Sequence, residues 1–237
     1  MLILLFLIFH WYISLFFQTF FLHRYASHRM FKMNKFTEKI CFFLTFISQG
    51  TSFLNPAAYA LMHRDHHKYS DTVDDPHSPQ SFTSKIKFNL KTFNEYRKYI
   101  NKINASDIKS SDLPRWELIE KLSDSWITRI SFAIIYTSVY IIYSPSFWYF
   151  LLLPIHFFMG PIHGFIVNWY GHKVGYRNFN LSDNSRNTLF IDFLMLGELY
   201  QNNHHKSPNN PDFSIKWFEV DFGYLILFFL KKLRIIK

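Results

Sequence analysis

The chain has a single cysteine, Cys41, set in an apolar run. It can therefore form no internal disulfide and no cysteine-based metal site, and Cys41 reads as a small buried hydrophobe. There is no Glu-x-x-His pair of the kind that carboxylate-rich di-metal helix bundles use. Acidic residues are scarce, 17 against 26 Lys and Arg. The basic excess does not point to nucleic acid, because no aromatic-basic reading motif accompanies it. It gathers beside apolar stretches instead, at Arg24, Arg29, Lys32, Lys35 and Lys39 and in the tail Lys231, Lys232, Arg234 and Lys237. That is the positive-inside pattern of a membrane protein. The N-terminus has neither a positive n-region nor a clear small-residue cleavage site, so its apolar run reads as a retained membrane helix, not a secretory signal.

What the chain has in excess is apolar and aromatic residues. Of 237 residues 49% are hydrophobic, and 29 phenylalanines help bring the aromatic share to 21%. The stretches 1–22, 40–62, 126–143 and 147–170 are nearly free of charge. Runs of about 18–25 apolar residues match the bilayer core. The length suits one domain, 1–237, and the fold class expected is an all-α integral membrane protein with a few transmembrane helices and a cytoplasmic helical cap. Full spans are expected near 1–22, 126–143 and 149–171. The uncharged SPSFW at 144–148 is a turn on the outer side, and the polar insertion 71–124 forms water-facing helices and loops. If 40–62 also crossed, the histidines before and after it would lie on opposite faces, about 30 Å apart. Gly50 and Pro56 interrupt that run, so it is expected to be interfacial or re-entrant.

The histidines carry the chemistry. Of the 12 in the chain, His23 and His28 stand five apart at the end of the first apolar run. His63, His66 and His67 have offsets that share one face of an α-helix, and Gln201, His204 and His205 repeat them. Asn168 and His172 are four apart at the end of the last span. One metal takes about four to six donors, and eight histidines from four segments suit two metals held close together. Imidazole in place of carboxylate, beside a lipid phase, points to iron in an oxygen-activating site. His10, His156 and His163 lie inside spans, where a neutral histidine bonded to a neighbouring helix is as simple a reading as function; they are left out of the site.

HRYASHR (23–29), HRDHHKYSDTVDDPHSP (63–79), NWYGHKVGYRNF (168–179) and LSDNSRNTLFIDFLMLGELYQNNHHKSP (181–208) resemble the histidine boxes of the membrane-bound fatty-acid desaturases acting on acyl-CoA or acyl lipids. The resemblance runs from about residue 18 to 208 and is general only over 85–125. It implies a di-iron site, with O2 as co-substrate, that introduces a cis double bond into an acyl chain. One iron would take His23, His63, His67 and His204, with Asn168 reaching it through water. The other would take His28, His66, His172 and His205, with Gln201 in its fifth position, a glutamine familiar in front-end desaturases. The resemblance further implies an acyl-CoA or lipid-linked substrate, surrounding membrane lipids, and an external electron donor such as ferredoxin or a cytochrome b5-type protein. The family core has four spans, so this sequence is expected to start on the helix carrying the first box, with its N-terminus outside and three spans around the acyl tunnel. It has no room or haem motif for a fused cytochrome b5-type domain.

Asp65, Asp75 and Glu198 are candidate acceptors for the ligand imidazoles, and His77 is a candidate for the same shell. The basic surface of Lys85, Lys87, Lys91, Arg97, Lys98, Lys102 and Lys109 is a candidate for CoA phosphates or anionic lipid headgroups, with plain positive-inside charge preferred. The rival functions are a hydroxylase or ketolase of the same histidine-box class, acting on a lipid, alkane, sterol or carotenoid, and a non-catalytic metal- or lipid-binding membrane protein.

Overall fold

The computed structural model describes residues 1–105 and 112–237, and among these residues it is helical with no strand. Helix α1, Leu2–Ser27, has a mean hydropathy of 1.8 in its most apolar window. Its first part, Leu2–Phe17, is α-helical; Gln18–Ser27 continues as a π-helix. Such winding, with amides reaching five residues back, is rare and favours functional sites. The His28 amide accordingly donates to the His23 carbonyl at 3.2 Å.

Residues 40–62 are not one helix. Helix α2, Lys35–Gln49, stops at Gly50, whose φ of +49° suits only glycine well. A short 3-10 turn, Gly50–Ser52, follows, and helix α3, Pro56–Tyr69, starts afresh. Asn55 caps α3 by accepting from the Ala57 and Ala58 amides at 2.9 and 3.1 Å, and Pro56 fits the first turn because it has no amide to satisfy. The seam between α1 and α3 is built from Ala26, Ala57, Ala58 and Ala60, all fully buried. Small side chains there let the two helices approach closely, and so bring the first two histidine boxes face to face.

The polar insertion supplies α4, Lys85–Asn104, which packs on α3, and α5, Glu117–Asp124. Lys85 donates to the Tyr170 hydroxyl at 3.1 Å and Lys98 pairs with Glu95 at 2.7 Å, so part of the basic surface is tied down within the protein. Lys109 lies outside the described residues.

Helix α6, Trp126–Tyr143, is the second helix long and apolar enough to cross a membrane. A third candidate is bent. A 3-10 turn (Phe147–Leu152) and α7 (Leu153–Phe157) meet α8 (Met159–Lys173) at 72°. The expected straight span 149–171 is thus broken at Phe158, and Pro161 explains why. Proline cannot donate to the carbonyl four residues back, which is that of Phe157, and this carbonyl accepts the Thr51 hydroxyl at 2.8 Å instead. The Gly160 amide reaches the Ser52 hydroxyl at 3.2 Å. The bend is therefore hooked onto the break between α2 and α3.

Helices α9 (Gln201–Lys206) and α10 (Phe222–Lys232) complete the chain. The tail folds back so that Lys32 and Lys237 exchange both backbone hydrogen bonds, at 2.9 and 2.8 Å.

Candidate metal centre

Four segments deliver imidazoles to one place: the π-helical end of α1, the last two turns of α3, the end of α8, and α9. Each has a local reason for its position. An α-helix would put residues five apart on different faces; the π-helical turn puts His28 below His23, with ring centroids 5.0 Å apart. On α3 the ordinary α-helical offsets suffice. The six-residue helix α9 is too short to hold itself, and an amide lattice holds it. The Asn202 side-chain oxygen accepts from the Asn178 and Phe179 amides, each at 2.8 Å. Asn203 accepts from the Asn187 side chain at 2.9 Å and donates to Glu219 at 2.9 Å. The NN of QNNHH thus anchors the HH.

The imidazoles fall into two adjoining groups. His23, His28, His63, His67 and His204 place one nitrogen each within 4.8 Å of the others; His66, His172 and His205 form the second group. The rings of His67 and His205 join the two, at 4.6 Å. His28 Nε2 lies 2.8 Å from His63 Nε2, so in this geometry it stands with the first group, whereas the resemblance places it with His66, His172 and His205. The five-residue offset counts as one π-helical turn, so both histidines of the first box lie side by side.

Neither group is explained by hydrogen bonding alone. In the first, Nε2 of His23 lies 3.0 Å from Nε2 of His204, which lies 2.9 Å from Nε2 of His67; that atom is 3.0 Å from Nε2 of His63. Protons can sit only on alternate members of such a chain, so some contacts remain poorly matched. One cation accepts all five lone pairs. In the second group Nε2 of His66, His172 and His205 has no hydrogen-bond partner at all, although each is buried. The donor set and its orphaned nitrogens fit a bound metal ion at each group.

The opposite nitrogens are held by carboxylates. His23 Nδ1 lies 2.6 Å from Glu198, and Nδ1 of His66, His172 and His205 lies 2.9 Å from Asp75, Asp71 and Asp183 respectively. Each such contact fixes the proton on Nδ1 and turns the Nε2 lone pair inward. Of the acceptors expected from sequence, Asp75 and Glu198 take this role, whereas Asp65 bonds the Tyr99 hydroxyl at 2.6 Å. Asp71 and Asp183 were not singled out, although both stand in the boxes, in HKYSD and LSDNS. Glu198 also receives Arg24 at 3.0 Å, and Arg24 pairs with Asp221 at 2.7 Å. Arg24 is completely buried, so it belongs to the site's framework and not to the basic flank of α1.

Burial holds His63, His66, His67 and His204 well below the usual imidazole range, and the neighbouring imidazoles push the same way. His28 is pushed down to about 2 by burial, then by His23 and His205. The neutral imidazole is the form that binds metal. Burial works to raise the Asp71 carboxyl, but hydrogen bonds from His172, the Asn184 amide and Ser78 outweigh it and hold Asp71 at about 2. Burial likewise works to raise Glu198, and His23, Arg24 and Thr19 overcome it.

Asn168 and Gln201 are in neither converging group. Both line a cavity of about 130 Å³ that adjoins His23 and His63. Gln201 donates from Nε2 to the Glu198 carbonyl at 2.7 Å. Its side chain passes over Gly171, where an added Cβ would lie 2.5 Å from Gln201 Cγ. His77 lines the same cavity and lies tilted against His66, with ring centroids 4.3 Å apart. Together with Asp75 these two offer a third group of converging donors.

The chain is 27% identical over 241 residues to the hex-5-enoyl acyl-carrier-protein acetylenase of Moorena producens (strain JHB), covering 91% of this chain and 70% of that protein. It is 28% identical to an acyl-CoA C20 Delta5-desaturase of Anemone leveillei, over 89% of this chain and 65% of the relative. It is also 28% identical to the sn-1 stearoyl-lipid 9-desaturase of Synechocystis sp. (strain ATCC 27184 / PCC 6803 / Kazusa), over 91% and 64% respectively. The chain thus spans about two thirds of the length of these relatives. The fatty acid desaturase family model matches residues 1–222, which take in both imidazole groups, their carboxylates and the cavity; the chain belongs to the fatty acid desaturase family.

Proposed function

We propose that the chain is a membrane acyl desaturase that introduces a cis double bond into a fatty acyl chain. The observation that carries this reading is the pair of adjoining imidazole groups set against a largely apolar cavity. The membrane relatives named for acyl-CoA and acyl-lipid substrates support an acyl substrate, CoA- or lipid-linked.

Removing hydrogen from an unactivated methylene pair is beyond any side-chain acid or base. Iron in the two groups supplies the oxidising power, drawn from O2 and two electrons. His23, His28, His63, His67 and His204 would hold one ion. His66, His172 and His205 would hold the other, with Gln201 and Asn168 as candidates for the sides left open toward the cavity. Glu198, Asp71, Asp75 and Asp183 keep the ligand imidazoles neutral and turned inward. The cavity wall fixes which carbons of the acyl chain lie nearest the imidazoles, and its apolar residues exclude water.

The electrons come from an external donor of the ferredoxin or cytochrome b5 type. The protein crosses the membrane more than once with the histidine groups on the cytoplasmic side, a reading supported by the basic tail pinned beside Lys32 and by the two candidate spans.

Expression in a host, followed by mass spectrometry of its fatty acids, tests the reading. New acyl chains lighter by two mass units, absent with a His172→Ala variant, support it. Products heavier by sixteen would assign the chain to a hydroxylase instead.

A further inference from the structure

The cavity follows α8 from Asn168 and Val167 past Gly164 to His163 and Gly160. His163 is fully buried, and neither Nδ1 nor Nε2 has a hydrogen-bond partner. Its nearest ring, Trp11, meets it edge-on at 4.5 Å, but the Trp11 indole N–H donates to the Leu194 carbonyl. A buried imidazole with both nitrogens unpaired is much less favourable than the Leu or Phe this position would accommodate. The other two histidines within the candidate spans, His10 and His156, have all their ring nitrogens engaged. His163 thus differs from them in facing a cavity with its hydrogen-bonding capacity open. A second polar group stands nearby: a Cβ built at Gly164 meets nothing closer than Gln18 Nε2, at 4.0 Å.

We infer that His163, with Gln18 on the same cavity wall, forms a hydrogen-bonding subsite that reads an oxygen carried partway along the acyl chain, as a hydroxyl or oxo group. His163 is five residues before Asn168, about 7.5 Å along the helix. The oxygen therefore sits several carbons beyond the carbon nearest Asn168, on the side away from the imidazole groups. The ring nitrogen that faces the cavity donates to either kind of oxygen in one tautomer and accepts from a hydroxyl alone in the other. This subsite rests on the proposed acyl substrate, and it makes His163 a specificity-determining residue.

The test is displacement of a fluorescent fatty acid from the purified full chain in detergent. The competitors are a saturated fatty acid and a series of the same length with a hydroxyl, or an oxo group, moved along the tail. The wild-type protein is expected to prefer one position, or two adjacent ones, by about five- to tenfold over the unsubstituted chain. A hydroxyl preferred over an oxo group at that position shows that the protein accepts; equal preference shows donation by the protein alone, and either supports the subsite. In His163→Leu the ratio falls to about one, and His163→Gln keeps part of it. A flat series in the wild-type protein overturns the inference without need of any variant, and so does a preference that survives in His163→Leu. Double-bond formation on the unsubstituted chain is scored separately. If it occurs while the series is flat, only the subsite falls; if it never occurs while the preference is present, only the desaturase reading falls.

Discussion

Two buried histidine clusters lie within this one chain, and they are built to opposite rules. In the helical bundle His10 donates from Nε2 to the Ser48 carbonyl at 2.8 Å, its Nδ1 meets Nδ1 of His156 at 2.7 Å, and the Tyr140 hydroxyl meets His156 Nε2 at 2.9 Å. A single set of tautomers satisfies every contact: His156 donates to His10, and Tyr140 donates to His156. At the ends of the helices His23, His66, His172 and His205 have carboxylates at Nδ1, and the eight imidazoles face one another, or nothing, with Nε2. The first cluster is complete as protein and joins α1, the end of α2, α6 and α7. The second is complete only with cations. Both are built from largely buried imidazoles; what separates them is whether the protons can be assigned without remainder.

The largest effect expected from this contrast is at the ligands. His66→Ala or His172→Ala should abolish metal retention in the three-imidazole group and lower turnover by at least about 100-fold, measured by metal analysis and product formation. Next come the carboxylates. Asp71→Asn and Asp183→Asn leave every proposed ligand in place but remove the charge that fixes its tautomer, so iron affinity should fall about 10- to 100-fold; a chelator competition titration reads this directly.

The bundle cluster should respond the other way round. Tyr140→Phe leaves His156 Nε2 buried without a partner, which costs about 1–3 kcal/mol. The variant should melt earlier while its iron content matches that of the wild-type protein. Loss of iron there would erase the distinction between the clusters.

Acid separates the folded metal-free protein from its metal-bound form. Burial keeps His63, His66, His67 and His204 below the usual imidazole range and His28 at about 2. The unfolded chain takes up protons near pH 6.5, where the folded one does not. Stability of the metal-free protein is therefore full above that pH and falls as pH drops below it. Melting curves between about pH 8 and about pH 5 should show the decline, and bound iron should delay it because it stabilises the same neutral form. The smallest effect is at Gly171→Ala, where the added methyl collides with Gln201. Displacing Gln201 should lower activity several-fold and cost about 1–3 kcal/mol in stability.

The histidine pattern was legible in the sequence because its offsets follow helical geometry. His63, His66 and His67 lie where an α-helix puts them. The position of His28 beside His23 was not legible, because the offset of five brings two rings together only where α1 winds as a π-helix, and nothing in QTFFLHRYAS announces that winding. Asp75 and Glu198 could be named from their nearness in sequence to the boxes. Asp71 and Asp183 reach His172 and His205 from loops 101 and 22 residues away in the chain, distances that only the fold closes. The apolar runs announced α1 and α6 well. The break in 149–171 was not expected: Pro161 frees the Phe157 carbonyl, but its partner Thr51 lies in another helix pair altogether. Arg24 looked like a flanking charge because its two acidic partners, Glu198 and Asp221, are remote in sequence.

The most direct measurement is the metal content of the purified full chain from iron-replete cells, by inductively coupled plasma mass spectrometry. The unfinished proton assignment in both imidazole groups predicts close to two iron ions per chain, and the same number in Tyr140→Phe. A protein that folds, keeps its helical content and carries no stoichiometric metal would contradict the account, because its eight converging imidazoles would then have to be satisfied by protons alone.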